Sequence, residues 1–380
     1  MRGRKFPLVT VVVVTALLVV GTTLATPGED AGQFEDRIKI AQEAAPDPAP
    51  DTPDLSPDEV ALQGELRAIG EGFDGTVGIA VTDAQSYATM AYNGGMACQR
   101  QSVSKLWVGV TALDRVDEGV LDLREPVTIR REDLTLFHQP IRNIVVTRGS
   151  FTSDYGDLMI RALTGSDNTA NDRLLRRVGG PPAVEGFLRR NAIRGVQFGT
   201  DERSKQSEIA GLDWRQDYAV GRAFYEARDA VPERERRQAF EAYLDDPIDG
   251  ATPDGMALAL ARLVRGDLLS RPSTQFLLDT LEKTRSGPRR LKGGVPAGWS
   301  FGHKTGTGQE FGGIQSGYND VGILSAPDGT TYGLAVFIQS TRASYAARMA
   351  MMQEVTRAVV RHHQSRQQDV ADPADPESTS

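Results

Sequence analysis

Cysteine is nearly absent from the chain. Cys98 stands alone among 380 residues, so no internal disulfide can form and stability rests on the core. Histidine is almost as scarce. Of His138, His303, His362 and His363 only the last two are neighbours, and metal-ligand spacing is missing, which argues against a zinc site. No pattern in the chain calls for a metal or an organic cofactor. Positive charge is not in excess: the formal net charge is -8, which argues against nucleic acid as the main partner. No G-x-S-x-G elbow occurs, and with so few histidines a Ser-His-Asp hydrolase is a poor fit. The one long apolar run, from about Leu8 to Val20, is shorter than the roughly 20 residues a spanning helix needs.

That run follows Arg2, Arg4 and Lys5 and ends near the small residues Thr23 and Ala25, so residues 1–25 read as a signal peptide cleaved after Ala25. No cysteine follows, which excludes a lipoprotein anchor. An uncleaved membrane anchor stays open as the alternative. The expectation is export to the periplasm or medium, with membrane contact only through this segment. Residues 26–57 are rich in Pro, Asp, Ala and Glu and read as a disordered linker. Residues 364–380 read as a disordered tail. The folded part should span 58–363, with ample core for one large domain, and is expected to be monomeric.

Within it, Val60–Ile69 is an amphipathic helix by spacing. Thr76–Val81 and Tyr87–Tyr92 read as strands paired around Asp83-Ala84-Gln85-Ser86. The middle is mostly helical, at Leu106–Val116, Asp157–Leu163, Asn168–Val178, Ala183–Arg190 and Met256–Val264. Strands return at Trp299–Lys304, Gly317–Ala326 and Tyr332–Ile338, with a hairpin turn at Asp328-Gly329, before a last helix from Tyr345 to Val360. The fold class is therefore α/β (α+β): an antiparallel sheet assembled from both chain ends, flanked by helices, plus an all-helical lobe.

Three short motifs carry chemistry. In Ser102-Val103-Ser104-Lys105, a serine and a lysine three apart on a helix share a face, so an amine can sit beside a weakly nucleophilic hydroxyl. Ser166-Asp167-Asn168 opens a helix, where a plain N-cap is the simpler reading. Lys304-Thr305-Gly306-Thr307-Gly308 ends a strand. There, glycine lets an extended substrate lie against the edge, and lysine with a hydroxyl suits a carboxylate. Each motif alone is weak. All three in this order are specific, as the S-x-x-K, S-D-N and K-T-G set of penicillin-recognising serine enzymes.

The chain resembles the class A β-lactamases from about Leu62 to Arg361. Beyond the motifs, the likeness takes in Gly179-Gly180-Pro181, Thr252-Pro253, Pro296-Ala297-Gly298-Trp299 and Asn319-Asp320. The resemblance implies the two-lobed β-lactamase/transpeptidase-like fold with its site between the lobes. It implies Ser102 as acylated nucleophile and Lys105 as its partner. Ser166 would be a proton relay, Asn168 a substrate clamp, and Lys304 with Thr305 and Gly306 the carboxylate strand. The N–H groups of Ser102 and Thr307 would form the oxyanion hole.

The resemblance also implies a deacylating glutamate on a loop after the S-D-N helix. Glu202 fits, with Glu208 as fallback. Two departures surround it. Gln206 stands where the family has asparagine, and Thr200 where an arginine would tie the loop down. A helical insertion at about 209–247, with Pro232 at a helix start, is either a surface decoration or a lid beside the groove. Arg342 is a second candidate cation for the carboxylate site. The leading expectation is a serine β-lactamase that hydrolyses the β-lactam amide through Ser102 and Glu202. A D,D-peptidase-like amide or ester hydrolase acting on a peptidoglycan-like substrate, and a non-catalytic cell-wall binding module, stay open.

Overall fold

The computed structural model describes residues 53–371. The signal segment 1–25, most of the linker to residue 57 and the end of the tail lie outside the described residues. Helix α1 (Pro57–Glu71) leads into strands β1 (Gly75–Asp83), β2 (Thr89–Tyr92) and β3 (Cys98–Gln99). The helical middle begins with α2 (Lys105–Asp117). Next come the ribbon of β4 (Pro126–Ile129) and β5 (Phe151–Asp154), which encloses α3 (Ile141–Arg148). Helices α4 (Tyr155–Thr164), α5 (Asn168–Val178), α6 (Pro181–Arg190) and α7 (Glu202–Ile209) follow. The insertion supplies α8 (Ala223–Ala230) and α9 (Glu233–Asp245), then come β6 (Gly250–Ala251), α10 (Pro253–Arg265) and α11 (Arg271–Glu282). The chain ends on β7 (Ser300–Thr307), β8 (Glu310–Phe311), β9 (Ile314–Ser325), β10 (Thr331–Thr341) and α12 (Tyr345–Ala371).

The main sheet is antiparallel in the order β2-β1-β10-β9-β7, with β8 paired to β9. Both chain ends build it, as the alternation of the sequence predicts. Strand residues point alternately to opposite faces, and the two faces meet different layers. Val77, Ile79 and Val81 of β1 pack with Leu334, Val336 and Ile338 of β10 against Leu62 and Leu66 of α1 and Val355 and Val359 of α12. On the other face Ala80, Ala335, Phe337 and Val321 join Met256 and Leu260 of α10 and the core of the helical lobe. The small residues on that face let α10 come close: a Cβ on Gly78 would stand 2.6 Å from Pro253 Cγ.

Most elements begin or end a few residues from the sequence reading, and three of the differences have a clear physical cause. The second strand starts at Thr89, because Tyr87 takes a left-handed φ of 63° and cannot pair. Helix α12 runs to Ala371, so the proposed disordered tail begins too early at 364. The added turns are held on their inner side: Arg366 Nη1 donates to Asp83 Oδ2 at 3.0 Å, and Gln367 Nε2 donates to Asp328 Oδ2 at 2.9 Å. Finally, Glu202 begins a helix rather than sitting in a loop.

The insertion folds as two helices seated on the body. Phe224 of α8 packs edge-on against Phe137 at 5.2 Å between ring centroids, with Leu136 and Tyr218 alongside. Phe240 of α9 packs on Phe311 at 5.7 Å, next to Ile209 and Ile314. Among the described residues, no helix is long and apolar enough to cross a membrane.

Candidate active site

Ser102 sits in a 3₁₀ turn, Gln101–Ser104, between β3 and α2. In a 3₁₀ turn residues three apart eclipse, which brings Ser102 and Lys105 closer than the α-helix expected from sequence. Lys105 Nζ donates to Ser102 Oγ at 2.7 Å. Lys105 is fully buried, and burial pulls its ammonium pKa below the usual range while the Glu202 charge pulls the other way. A lysine so placed can exist neutral and accept a proton.

Helix α4 ends at Thr164, and Ser166 turns the chain with a left-handed φ of 56°. Asp167 caps α5, accepting from Ala170 N at 3.0 Å, and also accepts from Ile141 N at 2.9 Å. The plain-cap reading therefore holds for Asp167, which leaves Ser166 and Asn168 free for other contacts. Asn168 Nδ2 donates to Leu136 O at 2.8 Å.

Lys304 closes the group from β7. Its Nζ donates to Ser166 Oγ at 3.0 Å and to Thr305 O at 2.9 Å. It too is fully buried, and burial, with Lys105 and Arg290 nearby, holds its pKa well below the ordinary lysine value. Thr305 Oγ1 lies 2.8 Å from Ser286 Oγ. Gly306 runs against the nucleophile turn: a Cβ there would stand 2.4 Å from Arg100 O, so no larger residue fits. Thr307 is exposed at the strand end.

Glu202 is buried, not solvated. Its Oε2 lies 3.5 Å from Lys105 Nζ and 3.2 Å from Lys205 Nζ, while Oε1 accepts from Gln206 Nε2 at 2.9 Å. Burial raises its pKa, but the two ammonium groups and Gln206 outweigh that and bring it to about 2. Asp172 on α5 holds the start of α7, accepting from Glu202 N at 3.2 Å and Arg203 N at 3.4 Å. Burial, with Asp201 and Glu202 adding repulsion, pushes the Asp172 carboxyl up to about 7.

The fold thus brings Ser102, Lys105 and Glu202 into one contact group and Ser166 and Lys304 into a second. Asn168, Thr305, Gly306 and Thr307 stand on the same turns and strand. Two sequence candidates make none of these contacts. Glu208 is exposed on the far side of α7. Arg342 is also exposed, donating to Gly312 O in the β8–β9 turn at 2.7 Å. The cation beside the K-T-G strand is Arg290, which no motif marks. Arg290 Nη1 donates to Gly306 O at 2.7 Å and Nη2 to Thr307 Oγ1 at 2.5 Å. A cavity of about 530 Å³ between α1 and α10 contains none of these residues, so chemistry rather than concavity locates the site.

Three comparisons bear on this arrangement. A sequence profile described as "Beta-lactamase enzyme family" matches residues 61–363. The chain is similar to the β-lactamase FAR-1 of Nocardia farcinica, at 29% identity over 302 residues, covering 78% of this chain and 81% of that one. It is similar as well to the extended-spectrum β-lactamase PER-1 of Pseudomonas aeruginosa, at 27% identity, covering 77% and 84%. Among solved structures, an ancestral class A β-lactamase aligns with a TM-score of 0.61 at 30% identity, over 79% of this chain and 99% of that one.

Proposed function

The chain belongs to the β-lactamase enzyme family, and on that footing we propose that it opens β-lactam amides through an acyl-enzyme on Ser102 and clears it with water activated by Glu202. The observation that carries the proposal is the position of Lys105 Nζ, 2.7 Å from Ser102 Oγ and 3.5 Å from Glu202 Oε2. One amine touches both the nucleophile and the base.

In acylation, neutral Lys105 takes the Ser102 proton as Oγ attacks the lactam carbonyl carbon. The oxyanion forms against the N–H groups of Ser102 and Thr307, each such donor contributing about 3 kcal/mol to transition-state stabilisation. The C–N bond then breaks, and Ser166 passes a proton to the leaving nitrogen, replenished through Lys304, whose Nζ lies 3.0 Å away. In deacylation Glu202 takes a proton from water as the water oxygen attacks the ester carbonyl, the C–Oγ bond breaks, Ser102 Oγ takes back the proton held on Lys105 at 2.7 Å, and the proton on Glu202 returns through solvent to Lys304. Asn168 holds the substrate's amide side chain. Lys304, Thr305 and Arg290 hold its carboxylate. Export through residues 1–25, tethering or release by the linker, and a monomeric state belong to the same proposal.

A D,D-peptidase-like reading draws on one observation: both Glu202 oxygens already have protein partners, which would slow the approach of water. Turnover of a chromogenic cephalosporin by the purified domain, beside Ser102→Ala, tests the choice. Sustained hydrolysis by the wild type, abolished in Ser102→Ala, is expected. A single stoichiometric burst in the wild type would favour the peptidase-like reading.

A further inference from the structure

The insertion reaches the catalytic turn. Helix α9 carries Tyr243, whose ring is buried with Ile209 and Phe240. Its hydroxyl accepts from Gln101 Nε2 at 2.9 Å and donates to Asp249 Oδ1 at 2.8 Å. Gln101 is the residue immediately before Ser102, fully buried and held at a left-handed φ of 53°. A non-glycine residue keeps that conformation only where its surroundings over-determine it.

Here every polar group of Gln101 is engaged. Its N–H donates to Asp249 Oδ2 at 2.9 Å, and Nε2 also reaches Ser316 O at 3.0 Å. Oε1 accepts from Gln206 Nε2 at 3.0 Å, and the carbonyl accepts from Lys205 Nζ at 3.4 Å. Asp249 then passes the contact on, lying 3.1 Å from Lys205 Nζ, which is itself 3.2 Å from Glu202. From the strand side, Gln99 Nε2 donates to Leu244 O at 3.0 Å.

We infer that Tyr243 is a positioning residue of the active site: its hydroxyl, supplied by the insertion, fixes the turn that presents Ser102 and, through Asp249 and Lys205, the placement of Glu202. The insertion is therefore neither a decoration nor simply a lid. This inference rests on Ser102 being the acylated nucleophile.

The test compares Tyr243→Phe, Phe240→Leu, Ser102→Ala and wild type in single-turnover acylation by a chromogenic cephalosporin, with thermal melts of each. Phenylalanine keeps the ring packing and removes only the hydroxyl. The expected result is an acylation rate about tenfold lower in Tyr243→Phe, with non-covalent substrate affinity within twofold of wild type. Phe240→Leu disturbs the same helix at its contact with Phe311, and should lower the melting temperature while leaving the acylation rate unchanged. A Tyr243→Phe enzyme that acylates at the wild-type rate overturns the inference, as does an equal loss of rate in Phe240→Leu. If Ser102→Ala is itself acylated, the reading of the nucleophile fails instead, and the two failures are distinct.

Discussion

Arg290 commits its guanidinium to Gly306 O at 2.7 Å, Asn319 O at 2.6 Å and Thr307 Oγ1 at 2.5 Å, and stacks 3.7 Å over the Tyr318 ring. It is buried, and burial lowers its pKa, as burial lowers that of Lys304. Two desolvated cations beside one strand end are stabilised when an anion arrives. Arg290→Ala should therefore raise KM for a carboxylate-bearing cephalosporin by about tenfold, the effect of losing one charge-assisted contact. The same substitution should change KM little for the ester of that compound. Steady-state kinetics on the pair checks this, and equal changes for both would contradict it. At this scale the sequence was informative wherever a motif fixed residue type and spacing, as at Ser102, Lys105 and Lys304. Arg290 was not legible, because it lies in a glycine-rich connection with no pattern and reaches β7 only through the fold. Lys205 stood in view three residues after Glu202, but that spacing means a shared face only on a helix.

Helices α5 and α7 show why that helix went unread. Asn168–Val178 was legible to the residue, since Asp167 caps one end and Gly179, at φ 108°, stops the other. Helix α7 buries Glu202, Lys205, Gln206 and Ser207 and only one apolar residue, Ile209, so its inner face is mostly polar and hydrophobic periodicity is silent. Its start is held instead by Asp201, accepting from Ser204 N at 3.0 Å, and by Asp172 from the neighbouring helix. Asp172 has a pH consequence. Its pKa rises from 3.8 to about 7 by burial and by repulsion from Asp201 and Glu202, against a smaller pull from Lys105. A raised folded pKa means that the folded state binds more protons between about pH 4 and 7, so this group's contribution to stability is lost as pH rises through that window. Glu202, lowered to about 2, gives a contribution that is complete above pH 4.5 and does not vary there. Thermal melts from pH 4.5 to 7.5 should show wild type losing stability relative to Asp172→Asn as pH rises. Parallel curves would contradict the assignment.

For the whole molecule, long-range placement does the chemical work. Ser102 enters from the turn before α2, Ser166 from the turn before α5, Glu202 from α7 and Lys304 from β7. Alternation and turn residues made the sheet from both chain ends legible. The motif order made the meeting of the motifs legible too, through resemblance. The register that sets Lys304 opposite Val321 and Thr305 opposite Asp320 was not legible, because strands buried on both faces carry no single polar side to fix it. Nor was the seat of the insertion: Tyr243 meets Gln101 across 142 positions of chain, a contact that local pattern cannot announce.

The proposed mechanism needs Ser102 to be acylated and Glu202 to clear the ester. Intact-mass measurement over time, after mixing Glu202→Gln with a penicillin, tests both at once. The expected result is a stable adduct of one penicillin mass, absent from Ser102→Ala and only transient in the wild type. An adduct that clears from Glu202→Gln as fast as from the wild type would contradict it.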